Sequence, residues 1–548
     1  MKTKFICCFL ILTIFLPSFV LGQAKIYSSP PEIIEKIKDE GTNRSQVMPT
    51  MSYLTDVIGG RLTGSPSMKR ANEWTRDKMK SWGMQNAQIE AWGEFGRGWS
   101  LQKFSAQITS PQTFPLIAYP KAWSPSTKGE ITAEVILLEA QTEADLEKYR
   151  GKLRGKIVLV SNLRELKADF EGMSKRLTDK ELLELANAVD PSTIQTPPRS
   201  AEQVNRFMQR FVQNATRAKF LLNEGAAVLV DNSFTGSGGT IFVQGASVAN
   251  DIPAEPLKLI AKDLLRPYQK AAEAKMLPQM TLASEDYNRL ARMIRQGEKL
   301  LMTLEIKAQY YDEDSKGYNT IAEIPGTDLK DEIVMLGGHL DSWHASTGAT
   351  DNAAGCAVAM EAVRILIASG LKPRRTIRVA LWSGEEQGLL GSRNYVFKHF
   401  GVRDDINPLF FGNIQLGDLE TGKDYEKISA YYNLDNGAGK IRGVYLQGNA
   451  AVAPIFRQWL APFRETGANT LTLADTFGTD HLSFDAIGVP AFQFIQDPLE
   501  YDTRTHHSNQ DNFDRIQADD LKQASIIMAA FVYQTAMMDE KLPRKILN

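Results

Sequence analysis

The run Ile333-Val334-Met335-Leu336-Gly337-Gly338-His339-Leu340-Asp341-Ser342 joins four apolar residues to a glycine pair, then to a histidine and an aspartate. Four apolar residues ended by glycine are too short for a buried helix and read as a strand buried on both faces. The motif of a strand followed at once by polar groups recurs downstream. Asn352–Ser369 has helical spacing that Gly370 ends, and Thr376–Trp382 is a strand. Gly388–Phe400 is helical, and Ile428–Leu434 and Val444–Gln447 are strands. Pro454–Thr466 is a helix, Pro490–Ile495 a strand and Ala518–Asp539 a closing helix. Such alternation predicts an α/β domain: a central, mostly parallel mixed sheet with helices on both faces. Sheets of this kind gather their chemistry at the C-terminal ends of strands.

Working toward the N-terminus, the texture changes. Residues from about Pro111 to Leu300 hold short apolar runs such as Val135–Leu138, Ile157–Val160 and Ala226–Val230, with a helical stretch at Phe207–Glu224. Between them Leu163–Val204 is polar, charged and helix-prone. Residues 111–300 contain no histidine, which places metal and general-base chemistry elsewhere. Further back, Gln88–Ile108 reads as strands, and Pro30–Lys80 as helices broken by the glycine-rich Gly59–Pro66. The expected division is a discontinuous domain at 23–110 and 301–548, with an insertion at 111–300 elaborated around 163–204.

The 548 residues suffice for more than one domain. With 63 basic and 65 acidic residues, net charge −2, nothing favours nucleic acid or an anionic membrane as partner. Lys2 and Lys4 precede an apolar run from Phe5 to about Val20, which reads as an export signal cleaved near Gly22/Gln23. The expected location is secreted or periplasmic, and no other stretch is apolar enough to span a bilayer. Cys7 and Cys8 lie in that leader, so Cys356 stands alone in the mature chain as a buried structural thiol. Monomer and homodimer both stay open.

The candidate ligands fall at corresponding places. His339 follows a strand, Asp351 precedes a helix, Glu385 and Glu386 follow the next strand, and Asp435 a further one. His506 and His507 lie in a loop after Pro490–Ile495. Singly, each is ordinary. Carboxylates favour helix starts, Asp351 could be a cap, and Asp435-Asn436-Gly437 could be a turn. Together, in a chain with only six histidines, they form a His/Asp/Glu set that suits zinc. Two adjacent cations need an anionic bridge, and a carboxylate such as Asp351 can give one oxygen to each. Water on such a metal has a pKa of roughly 7, so hydroxide serves as nucleophile at neutral pH. The neighbours Glu385 and Glu386 allow one to ligate while the other carries the proton.

Gly337–Ser342, Thr350-Asp351-Asn352-Ala353-Ala354-Gly355 and Gly384-Glu385-Glu386-Gln387-Gly388-Leu389-Leu390-Gly391-Ser392 resemble the zinc exopeptidase family of aminopeptidase Y, carboxypeptidase Q (plasma glutamate carboxypeptidase) and glutamate carboxypeptidase II. The match covers roughly Tyr318–Ile516, with weaker support from Tyr53–Trp82. The resemblance implies two zinc ions per chain, one held by His339, Asp351 and Asp435, the other by Asp351, Glu386 and His507. Asp351 would bridge, Glu385 would be the general base, and Asp341 would orient His339. A cis peptide is expected at Asp351–Asn352, and residues 111–300 would be a protease-associated domain. The family spacing from histidine to aspartate, met by His507-Ser508-Asn509-Gln510-Asp511, selects His507 over His506. His481 matches a tyrosine of some relatives and would donate to the tetrahedral oxyanion, the alternative being a pocket-lining residue. His344 and His399 are expected at the surface or beside the ligands.

The resemblance thus implies an exported di-zinc exopeptidase acting on peptide ends or dipeptides. Two alternatives are a single-zinc glutaminyl cyclase-like enzyme and a non-catalytic, transferrin-receptor-like binding protein. Intact His339 and Asp435 favour two metals, and the full ligand set with its base favours catalysis. Polarity is open between aminopeptidase and carboxypeptidase: Asp480 could meet a substrate ammonium and Arg504 a carboxylate. The spacing His339–Trp343 and the insertion lean toward carboxypeptidase Q-like dipeptidases.

Overall fold

The computed structural model describes residues 26–193, 201–252, 264–405 and 416–545. The leader expected at 1–22 lies outside them. A first eight-stranded sheet runs in the spatial order Gln85–Glu94, Lys316–Ile324, Arg375–Trp382, Leu329–His339, Ile428–Asn433, Ala491–Gln496, Ile441–Tyr445, Thr470–Thr472. Its four central strands are parallel, and antiparallel pairs flank them on both sides. The strand Leu329–His339 is buried on both faces. Val334 and Leu336 face a core shared with helices Ala354–Ala368 and Ala518–Met537, while Ile333 and Met335 face Trp382, Tyr395 and Phe484. Period-two alternation between two cores makes the run continuously apolar.

The helix expected from Asn352 begins instead at Ala354. Asp351 and Asn352 have non-helical torsions within a wide turn, Ala349–Ala353, and their shared peptide is cis. Gly355 lets this helix start approach the next strand end. A Cβ there would lie 2.0 Å from the Leu434 carbonyl oxygen. That close approach brings Asp351 and Asp435 to one end of the sheet.

A second eight-stranded sheet has the order Phe114–Pro115, Gly98–Ser110, Leu301–Tyr311, Ile131–Leu137, Ile157–Leu159, Val228–Asn232, Gln279–Leu282, Ala118–Pro120. It encloses its own core of residues such as Ile157, Val228, Met302 and Leu304. The stretch 163–204 is less helical than its composition predicts; its described α-helices are Asp179–Ala186 and the start of Ala201–Glu224. Tertiary contacts override propensity there. Arg176 bonds Asp497 at 2.9 Å and Asp520 at 2.8 Å. The Leu177 amide donates to Asp497 at 2.9 Å, and Lys175 pairs with Leu499 through both backbone groups.

Candidate metal centre

Three strand ends, one turn at a helix start and one loop converge on a single point. His339 is the last residue of its strand, and its Nε2 lies 3.2 Å from Asp351 Oδ1 and 3.3 Å from Asp435 Oδ1. Glu385 Oε2 is 3.9 Å from the same nitrogen. The other oxygen of Asp351 turns to the loop histidine, 3.2 Å from His507 Nε2, and Glu386 Oε2 lies 2.9 Å from that nitrogen. His339, Asp351, Glu386, Asp435, His507 and Glu385 therefore share one cluster, as their spacing predicts.

Several residues hold the cluster in place. His339 Nδ1 is 3.0 Å from the Asp341 carbonyl oxygen and 3.6 Å from its carboxylate. Asp341 also accepts from the Thr63 hydroxyl at 2.8 Å and from the Glu385 and Glu386 amides at 3.3 and 3.4 Å. One buried carboxylate thus positions His339 and the paired glutamates. Asp511 accepts from the amides of Thr350 and Asp351 at 2.7 and 3.1 Å. Arg61, fully buried, donates to the carbonyls of Leu340, Thr347 and Gly348 at 2.7, 2.6 and 2.8 Å, and to Leu54 and Gly59 as well. Arg61 and Thr63 escape a motif search. Their one signal is an arginine and a threonine inside the glycine-rich break at Gly59–Pro66.

The electrostatics follow from burial of like charges. Burial alone would lower His339 and His507, yet the facing carboxylates hold both well above the usual histidine range. Burial and the neighbouring Asp435, Asp480 and Glu386 push Glu385 well above the usual carboxylate range. Burial and Asp351 raise Glu386 to about 7, against the opposing pull of His507. Asp351 goes the other way: its two histidines outweigh burial and keep it well below. Asp351 Oδ2 and Glu386 Oε1 are buried without a hydrogen-bond partner. Buried polar atoms are normally satisfied, so these two lone-pair donors beside two imidazole nitrogens fit a cation. Nitrogen and carboxylate oxygen are zinc donors, and the residues fit that ion.

Three further candidates lie around the cluster. His481 is fully buried, its Nε2 is 3.2 Å from the Thr476 carbonyl, and burial pushes it down to about 4. Its Nδ1 is buried without a hydrogen-bond partner among the described residues. Asp480 is wholly buried, and burial with Asp435 and Asp341 raises it to about 7, so it presents no open anion to a substrate ammonium. Arg504 is paired with Glu500 at 3.2 Å. By contrast, His506 sits half-exposed at the rim, 3.8 Å from Asp351 Oδ2, with its ring 4.7 Å from that of Tyr501. His344 is bound to the Pro120 carbonyl at 2.7 Å and His399 to Glu90 at 2.7 Å, both outside the cluster.

Known peptidases resemble this chain in sequence and fold. Carboxypeptidase Q of Mus musculus is 25% identical over 519 residues, 94% of this chain and 91% of that protein. Aminopeptidase YwaD of Bacillus subtilis is 29% identical over 219 residues, 39% of this chain and 43% of that protein. The crystal structure of a peptidase M28 precursor from Shewanella amazonensis shares the fold, with a TM-score of 0.64 at 23% identity over 94% of this chain and 99% of that one. Residues 319–532 match peptidase family M28. Those residues include every member of the cluster, and over them the chain is similar to the hydrolases of that family.

Proposed function

We propose that this protein is an exported zinc exopeptidase with two zinc ions per chain that splits short peptides, dipeptides above all. One observation carries the reading: Asp351 offers its two oxygens to two different histidines, each at 3.2 Å. That is the arrangement a carboxylate bridging two cations requires. His339, Asp351 and Asp435 would hold one ion, and Asp351, Glu386 and His507 the other.

Bound zinc supplies Lewis acidity and acidifies water to a pKa of roughly 7. Glu385 does the proton work. It lies beside the cluster but farther from His339 than either Asp351 or Asp435, so it is free to take a proton from water and return it to the leaving amine. Asp341 keeps the His339 ring and both glutamate amides in register. His506, 3.8 Å from Asp351 Oδ2 at the rim, is proposed as the donor to the oxyanion in preference to His481. Burial and the neighbouring His507 push it below the usual histidine range, so it stays neutral and retains one N–H donor.

Region 111–300 is proposed as the inserted protease-associated domain. The second sheet supports this, and its strands Gly98–Ser110 and Leu301–Tyr311 extend it on both sides. The dipeptidase leaning rests on similarity to carboxypeptidase Q across both sheets. Among the described residues no helix is long and apolar enough to cross a membrane. The test is a zinc count on purified protein with turnover of a panel of dipeptides and of peptides blocked at either end. About two zinc ions and a need for both free termini support the reading. Less than one zinc, or cleavage of doubly blocked peptides, refutes it.

A further inference from the structure

Two segments lying 263 residues apart in sequence at their closest polar contact run side by side at the rim of the cluster. One is Thr240–Gln244, from the region of the second sheet. The other is His507–Gln510, the loop that carries the second cluster histidine. The Asn509 amide donates to the Ile241 carbonyl at 3.1 Å, and the Ile241 amide returns a bond to Asn509 Oδ1 at 2.8 Å. Phe242 and Ser508 form an antiparallel bridge, and Gln510 Nε2 donates to Thr240 Oγ1 at 2.9 Å. At the end of this strap Gln244 Nε2 lies 3.0 Å from His507 Nδ1.

The chemistry of the imidazole makes that last contact informative. His507 Nε2 faces Asp351 and Glu386. A neutral imidazole has one N–H and one lone pair. A cation at Nε2 takes the lone pair there, so the proton must reside on Nδ1. Nδ1 then needs an acceptor, and a half-turn of the Gln244 carboxamide puts its oxygen where Nε2 now lies, the two ends being of like size and differing in donor and acceptor character. We infer that Gln244 is a positioning residue for the metal at His507: its amide oxygen accepts from Nδ1–H and fixes both tautomer and ring plane. The region of the second sheet is thereby part of the metal site and not a detached accessory. The inference rests on the zinc reading above.

Gln244 is exposed, so its replacement opens no buried cavity. The experiment uses the full mature chain, stripped of metal and titrated with zinc against a chromophoric chelator, for wild type, Gln244→Leu and Gln244→Glu. Thermal unfolding of each metal-free protein is measured alongside. Partners of metal-bound histidines typically contribute about 10–100-fold in metal affinity. Gln244→Leu is expected to weaken one of two zinc sites by about that factor, leaving the other site and the metal-free unfolding temperature unchanged. Gln244→Glu, which can only accept, is expected to stay within a few-fold of wild type. Wild-type affinity in Gln244→Leu would overturn the inference. So would an equal loss in Gln244→Glu, because glutamine would then be donating to the ring. A wild-type chain without two zinc sites refutes the functional reading itself, and this inference with it; a two-zinc wild type with an insensitive Gln244→Leu refutes the inference alone.

Discussion

Replacing Glu385 separates chemistry from metal binding in this cluster. Its carboxylate lies 3.9 Å from His339 Nε2, whereas Glu386 reaches within 2.9 Å of His507 Nε2. Its amide is anchored independently by Asp341 at 3.3 Å, so the backbone stays in place when the side chain changes. Glu385→Gln keeps the shape and removes the base. General-base catalysis is worth about 10²–10⁴ in rate, or roughly 2.7–5.5 kcal/mol of barrier, and kcat should fall by that factor. Glu385→Asp keeps the base but withdraws it by about one methylene. A displacement of about 1 Å can cost on the order of 10²-fold, so this variant should fall between wild type and Glu385→Gln. The assay is dipeptide turnover with zinc content measured on the same samples. Both variants should retain about two zinc ions. A Glu385→Gln protein with full zinc and more than about a tenth of wild-type kcat would refute the base assignment. Loss of one zinc in step with activity would make Glu385 a ligand.

Removal of zinc should lower thermal stability by about 4 kcal/mol relative to protein at about a thousand times the dissociation constant, read by calorimetry; an unchanged transition would count against a metal here. Arg61→Met keeps the stem but strips the donors from five carbonyls, and should cost upward of about 3 kcal/mol in denaturant unfolding, with a loss below about 1 kcal/mol refuting the bracing role. His506→Phe should lower kcat while His481→Phe should not, and the reverse result would return the oxyanion donor to His481. Burial would raise Glu90, but His399 and Lys398 at 2.7 and 2.6 Å hold it down to about 2. A depressed acid stabilises the fold above its unfolded value and ceases to do so as pH falls through the folded one. Glu90→Gln should therefore flatten the fall in stability between about pH 4.5 and about pH 2 in acid unfolding curves.

The grouping of His339, Asp351, Glu385, Glu386, Asp435 and His507 was legible because all but His507 are tied to a strand end or helix start. Parallel strands set those ends side by side whatever the loops do. Local pattern located two strands to within a residue, Ile428–Asn433 and Ala491–Gln496, but missed the start of Ile441–Tyr445 by three. It erred where distant partners decide conformation. Arg176 reads as one more charge in a helix-prone stretch until Asp497 and Asp520 claim it. His481, an oxyanion donor or a pocket-lining residue by resemblance, opens a short buried helix and turns its Nε2 to the Thr476 carbonyl. Gln244 carries no local signal at all, since its meaning lies in a histidine 263 residues away.

The loop Thr347–Asp351 is gripped from one side by Arg61 and from the other by Asp511. A segment bonded on both flanks has little freedom to breathe, so the floor of the cleft does not open to admit a peptide or release its fragments. That traffic falls to the rim, where His506 is half-exposed and Gln244 faces solvent. A dependence of turnover on solvent viscosity would therefore be expected to arise where Thr240–Gln244 meets the His507–Gln510 loop.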